Sequence, residues 1–562
     1  MQIYNTPEKK IVPFFPLCER EVKLYTCGPT VYERAHIGNL RTYLFEDILK
    51  RALKNEGYII RHVMNITDVG HLTDDGDEGD DKLQLSAMQK KKNAWDIARE
   101  YETQFKEDIA SLGIIPPDYW TRATEYISQQ IDMVKKLEAK GLLYQLKDGL
   151  YFDTSQFGDY GKFACLQLDE QWSTGREGGN GQKKHPADFA VWKFSPQGVH
   201  RDMEWNSPWG KGFPGWHLEC SAMIEAVLGS PIDIHCGGID HVTVHHTNEI
   251  AQTWGACGRE LARYWMHGEF LMVDGKKMSK SLGNTYTLED LKNEGFEPQD
   301  FRYWVLQGHY RQKLNFTWEA LRAAQNRRLR LKKEFGFFDD VNEYSKINSE
   351  VLHHKDFGSF LEKNFVVTHN EKTLILKITN SFTSYLLEDL STAKILGSLA
   401  ELRNTILQET KEKKLLGLIG IWIDMYLGLD ISLKYIKDIS LQVLENSKIN
   451  ETLFRQYFDS LGYDSELSDK IGSILTQRGY TILDIGDSYQ ISQPSGQKYI
   501  QPKREVIDKL VKERIAAKKK KNFKKADDIK LQLLNIGYTQ IRDISENETE
   551  LFTDSYSRKV AF

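Results

Sequence analysis

Apolar and polar positions alternate from Glu21 to Cys27 (EVKLYTC), which predicts a β-strand. A turn with Gly28 and Pro29 follows. From Gly38 to Asn55 the apolar residues Leu40, Tyr43, Leu44, Ile48, Leu49, Ala52 and Leu53 recur at helical spacing, and Gly57 stops the run. Tyr58 to Met64 (YIIRHVM) reads as a second strand. Strand, glycine-bearing loop, helix and strand form a βαβ unit, which predicts a parallel sheet with a ligand site at the strand C-termini. The pattern stops near Thr73, and DDGDEGDDK reads as an acidic loop. Residues 95–145 read as helical and 146–215 as irregular, with Gly and Trp throughout, as an insertion within a nucleotide-binding domain would. The strand pattern resumes at Pro231 to Cys236 (PIDIHC), with a helix from His245 to Ala256 and a strand, EFLMVDG, ending near Gly275.

Beyond 287 the pattern is mostly helical. The stretch 320–336 is amphipathic and basic, 382–409 and 415–428 carry clear helical periodicity, and 504–543 reads as helix, Lys-rich turn, helix. Neither 337–380 nor 450–502 yields an assignment, and no internal repeat is visible. These elements divide the chain at 1–95 and 216–286 for two halves of an α/β parallel-sheet catalytic domain, with 96–215 inserted between them. The remainder divides at 287–335, at 336–503 with helical and unassigned segments, and at 504–562.

Composition narrows the possibilities. The 562 residues, 40% hydrophobic and 28% charged, suffice for several buried cores and exclude wholesale disorder. Net charge is −5, which excludes a globally basic coat but not a local basic patch. Six cysteines are too sparse for a secreted disulfide framework, so a reducing cytoplasm is expected. The most apolar run, Leu415 to Ile431, is broken by Asp424 and three glycines and reads as a buried helix, with no membrane association. MQIYNTPEKK lacks the apolar stretch of a signal peptide.

Two motifs carry candidate chemistry. PTVYERAHIGN (Pro29 to Asn39) lies between the first strand and its helix, where His36 and Gly38 at a helix start suit a polyanion. A capping or core histidine would read the same way. KMSKSLGN (Lys277 to Asn284) follows a strand, and Lys280 can meet phosphate charge as a point cation. Cys27, Cys220 and the pair His245 and Glu249, four apart on one helical face, could supply four metal ligands. Spacing alone favours buried free thiols and a surface ion pair, because Cys27, Cys220 and the pair are far apart in sequence.

The HIGN and KMSKS segments, in this order, resemble the HIGH and KMSKS signatures of class I aminoacyl-tRNA synthetases. CGPTVY, GWHLECSAM, DIHCGGID and HHTNE resemble those of cysteinyl-tRNA synthetases. The resemblance covers 1–330 and 504–543 well, 382–409 in part, and 337–380 and 430–502 poorly. It implies a split Rossmann-like catalytic domain with an insertion, followed by mostly helical C-terminal domains. It also implies one Zn²⁺ per chain on Cys27, Cys220, His245 and Glu249, with His246 excluded. Further implied roles are Thr67, Trp216, His235 and Asp240 around the amino acid, with Gly237 and Gly238 beside the adenine or ribose. His36, Gly38, Asn39, Lys277 and Lys280 would serve the ATP phosphates, with Mg²⁺. Asn39 departs from the family's histidine; it keeps an N–H donor but cannot titrate.

The expected activity is ligation of L-cysteine to tRNA(Cys) at the expense of ATP, by a cytoplasmic monomer. Zinc binds a thiolate far better than a hydroxyl, and so separates cysteine from serine where an apolar pocket cannot. Eleven Lys or Arg against three acids between 503 and 525 form a local basic patch suited to RNA phosphates. Two alternatives stay open: a cysteine ligase acting on an amino sugar, as in mycothiol synthesis, and a catalytically dead zinc-dependent RNA-binding protein. The basic hairpin argues against the first, and His36 and Lys280 against the second.

Overall fold

The structure is a computed structural model that describes residues 1–70, 81–165, 183–196, 198, 201–279, 282–338, 347, 357–409, 413–432, 481–484, 488–492, 498–502, 504–520, 522–535, 540–545, 548–552 and 557–561. Five parallel strands organise the catalytic region: β1 (Glu21–Thr26), β2 (Ile59–Ile66), β3 (Tyr119–Arg122), β4 (Ile232–Gly238) and β5 (Ala262–Gly268). Their order is β5-β4-β1-β2-β3. Helix α1 (Ile37–Asn55) makes the β1-to-β2 crossover. Strand β1 therefore has β2 on one side and β4, about 200 residues later in the chain, on the other. The strand order reverses there, which opens a crevice at the strand C-termini. The Cys27 N–H donates to the Cys236 carbonyl at 3.1 Å and continues the pairing into that crevice.

Between the sheet halves run α2 (Ala94–Ser111) and α3 (Ile127–Ala139), then an antiparallel five-stranded sheet built from Leu143–Leu146, Gly149–Phe152, Phe189–Phe194, Trp205–Ser207 and Gly210–Pro214. The helical reading of 95–145 thus misses β3, a four-residue strand too short to show a period. The irregular reading of 146–215 misses this sheet, because its strands have three to six residues and Phe189–Val191 are buried on both faces. The same burial hides β5, while Leu271–Val273 belongs to a separate small sheet with Lys276–Lys277 and Leu314–Phe316.

Helices α4 (Trp216–Val227) and α5 (His245–Cys257) connect insertion and parallel sheet. Leu218, Ala222 and Ala251 pack with Val134, Leu150 and Trp192 of the insertion. Cys220 and Ile224 pack with Tyr25, Val63 and Trp265 of the parallel sheet. Both helices are thereby held on two sides, which fixes the side chains at their N-terminal ends.

The chain divides into two compact units, one of residues 1–288, 298–337 and 344–433, the other of 289–297, 338–343 and 434–562. In the first unit, Trp318–Phe335 and Lys413–Leu427 are helices, the latter buried. The helix Phe357–Asn364 lies within 337–380, and His369–Leu387 begins there and runs past it. The periodic run 382–409 is broken at Asp389 and Leu390, both with positive φ, before Thr392–Glu409. In the second unit, the unassigned 450–502 includes an antiparallel sheet of Thr481–Asp484, Ser488–Ser492 and Lys498–Pro502. Helices Arg504–Lys519 and Phe523–Asn535 follow, then a second three-stranded sheet. No helix among the described residues is long and apolar enough to cross a membrane.

Candidate active site

A cavity of about 400 Å³ occupies the crevice. The N-terminus of α1 forms one wall. His36 is its N-cap: Nδ1 accepts from the Asn39 N–H at 3.2 Å, and Asn39 Oδ1 accepts from the His36 N–H at 3.2 Å. Asparagine completes this reciprocal cap, and its amide N–H₂ remains as a donor. A Cβ at Gly38 would lie 2.3 Å from Met278 Cε, the movable end of that side chain, and 3.0 Å from the His36 ring. The positive end of the helix dipole there favours an anion.

At the other end, two thiols, an imidazole and a carboxylate converge. The ligating atoms of Cys27, Cys220, His245 and Glu249 all lie within 4.8 Å of one another, and all four residues are buried. Cys27 directly follows β1, Cys220 sits on the second turn of α4, and His245 and Glu249 share one face of α5. Glu249 reaches His245 Nε2 through Oε1 at 3.0 Å and His235 Nε2 through Oε2 at 2.9 Å. Neither approach has hydrogen-bond geometry, so both buried carboxylate oxygens lack a directed donor.

The electrostatics favour a cation. Burial opposes ionisation of Glu249, yet His235 and His245 hold its carboxyl well below the usual range. Burial likewise opposes charge on His245, but Glu249 and Cys220 raise it to about 10. Burial penalises both thiolates. Cys27 and His245 nonetheless hold Cys220 below the usual thiol range, whereas burial and Cys220 push Cys27 up. A divalent metal would displace the shared protons and satisfy the orphaned oxygens, and thiolate, imidazole and carboxylate are the donor types such an ion takes.

The other expected site residues divide by location. Thr67, Trp216, Gly238, Asp240 and Lys277 line the cavity. Thr67 is tied to the loop through its N–H to the Pro29 carbonyl at 3.0 Å, and Trp216 lies against His245 with ring centroids 4.5 Å apart. His235 and Gly237 do not line the cavity: His235 is fully buried behind Glu249 and stacked on Trp265. A Cβ at Gly237 would meet His241 Nδ1 at 2.7 Å, so this glycine serves close packing of the imidazoles. Lys277 Nζ stands 5.6 Å over the Phe270 ring, and Lys280 lies outside the described residues.

Sequence reasoning set His246 aside as a ligand and did not single out His217, His241 or His267. His246 Nε2 is 3.4 Å from Cys27 Sγ, and its Nδ1 is 2.8 Å from His267 Nε2. His217 Nδ1 is 2.9 Å from His245 Nδ1. The available signal was density: six of the 15 histidines fall between 217 and 267. Arg34 was also missed; it makes a bidentate pair with Asp108 of α2 at 2.7 and 3.0 Å and fixes the loop before α1.

Comparisons with known proteins agree with this architecture. Residues 13–326 match the family described as tRNA synthetases class I (C) catalytic domain. A cysteine–tRNA ligase of Treponema denticola is 38% identical over 487 residues, which are 86% of this chain and 98% of that protein. Cysteine–tRNA ligase 1 of Burkholderia lata is 52% identical over 333 residues, 59% of this chain and 71% of its own. Among solved structures, Mycobacterium tuberculosis methionyl-tRNA synthetase in complex with methionyl-adenylate shares the fold, with a TM-score of 0.51 at 15% identity over 73% of this chain and 92% of that one.

Proposed function

Because the chain belongs to the cysteine–tRNA ligases, a family of class I aminoacyl-tRNA synthetases, we propose that it joins ATP and L-cysteine into cysteinyl-adenylate and passes the cysteinyl group to tRNA(Cys). The observation that carries the reading is the convergence of Cys27, Cys220, His245 and Glu249 at one end of a cavity whose other end is the α1 N-terminus. That arrangement offers a grip for a thiol and a grip for phosphates in one space.

Cys27, Cys220, His245 and Glu249 would hold Zn²⁺. The ion, when bound, supplies a borderline-soft Lewis acid that takes a thiolate in preference to a hydroxyl. His235 stands behind Glu249 and stabilises its charge from there. Trp216, Thr67 and Asp240 enclose the amino acid, Asp240 as a carboxylate suited to its ammonium. Gly238 lets the nucleoside approach the backbone.

In the first step the cysteine carboxylate oxygen attacks the α-phosphorus of ATP and pyrophosphate leaves. His36, Gly38 and Asn39 at the N-terminus of α1 bind the phosphates, which arrive with Mg²⁺. Lys277 and Lys280 neutralise charge growing on the leaving group. In the second step a hydroxyl of the terminal tRNA ribose attacks the activated carbonyl and AMP departs. The side chains position and stabilise, and form no covalent intermediate. Basic helices Trp318–Phe335, Arg504–Lys519 and Phe523–Asn535 meet the tRNA backbone through Lys and Arg.

The test is charging of tRNA(Cys) by the purified chain with cysteine and, separately, with serine. Charging with cysteine and not with serine is expected. No charging, or equal use of the two amino acids, would overturn the reading.

A further inference from the structure

One side chain ties the two ATP-binding segments together. Arg41 lies two residues beyond Asn39 on α1 and is 3% exposed. Its Nη1 donates to the carbonyls of Glu269 at 2.8 Å and Phe270 at 2.6 Å. Its Nη2 donates to the carbonyls of His309 and Tyr310, each at 3.3 Å, and to that of Gln312. All five acceptors are backbone oxygens on two segments that enter the small sheet carrying Lys277: Glu269–Phe270 leads into Leu271–Val273, and His309–Gln312 into Leu314–Phe316. Phe270 is also the ring beneath Lys277. The chain leaving the lysine loop returns to α1, where the Ile37 N–H donates to the Tyr286 carbonyl at 2.8 Å. Phe45, one turn beyond Arg41, stacks on Tyr310 with centroids 5.0 Å apart.

We propose that Arg41 is the positioning residue that sets the span between the α1 phosphate cradle and the strand that carries Lys277, and so the alignment of ATP for adenylate formation. This rests on the ligase reading given above. A planar guanidinium can serve carbonyls on two segments at once, which a lysine ammonium cannot reproduce. Misplacement of reacting groups by about 1 Å can cost about 100-fold in rate. The effect is confined to the first step, because pyrophosphate has left before tRNA attacks.

The experiment compares wild type with Arg41→Lys in cysteine-dependent ATP–pyrophosphate exchange, and in transfer to tRNA(Cys) from preformed cysteinyl-adenylate. Zinc content and melting are controls. Arg41→Lys should lower kcat of exchange by about 10–100-fold. KM for cysteine, zinc content and the transfer rate should stay within twofold of wild type. In Arg41→Ala, added methylguanidinium should restore part of the exchange. Exchange by Arg41→Lys at the wild-type rate, equal loss in both steps, loss of zinc or folding, or no recovery with methylguanidinium would each overturn the proposal. A wild-type chain without exchange would instead overturn the ligase reading.

Discussion

Glu249 stands between two imidazoles, with Oε1 3.0 Å from His245 Nε2 and Oε2 2.9 Å from His235 Nε2, and all three side chains are buried. An acid this deep is held ionised only by what surrounds it. Glu249→Gln removes the charge and keeps the shape. Metal affinity should fall by more than the roughly 10–100-fold that a substitution beside a ligand costs. The KM for cysteine should rise with it. Metal analysis of the purified variant and exchange at varied cysteine check both. A variant with full metal content and unchanged KM would remove Glu249 from the ligand set.

Lys280 is assigned the charge of the leaving pyrophosphate. Lys280→Ala should slow adenylate formation by about 10²–10³-fold, the scale of losing one preorganised stabilising group. Its melting temperature and cysteine-binding affinity should stay near wild type. Pre-steady-state adenylate formation measures the effect, and near-normal rates would refute the assignment.

The helices Arg504–Lys519 and Phe523–Asn535 carry Lys518, Lys519, Lys524 and Lys525 at their junction, all exposed or half-buried. Replacing the four with Gln should raise the KM for tRNA and flatten its dependence on salt by about one unit of logarithmic slope for each phosphate no longer neutralised. Exchange without tRNA should be unaffected. An unaltered salt slope would show that this hairpin does not meet the backbone.

Glu46 on α1 is 1% exposed and neither carboxylate oxygen has a directed hydrogen bond. Burial pushes its pKa well above the ordinary 4.5, and the Thr26 hydroxyl offsets only part of this. The folded chain therefore keeps a proton that the unfolded chain releases above about pH 4.5, so this group's contribution to stability falls as pH rises through that range. Glu46→Gln should flatten the decline and raise the melting temperature at pH 8 relative to pH 5. Thermal melts of both proteins across pH 5–8 test it, and parallel profiles would contradict it.

What was legible in the chain follows from local physics. β1, α1 and β2 show in the pattern because α1 keeps a polar face and β1 alternates. The pair His245 and Glu249 shows because a four-residue spacing fixes a helix face. By contrast, β5 and the strand Phe189–Phe194 are buried on both faces and lose their alternation. Bringing Cys27 to Cys220 depends on β1 pairing with β4 across 200 residues, which no local spacing records; there the resemblance to a family supplied the grouping. His235 was expected beside the substrate; its side chain is fully buried with Nε2 2.9 Å from Glu249, a contact that no local spacing records. The role of Arg41 was invisible, since its partners are backbone oxygens that any residue carries.

The most direct measurement is metal content together with ATP–pyrophosphate exchange on the same purified protein, before and after chelation, with cysteine or serine supplied. About one zinc per chain, and an exchange that needs cysteine, fails with serine and stops when the metal is stripped, is the expected result. Full exchange in the stripped protein, or exchange that serine supports as well as cysteine, would contradict the account.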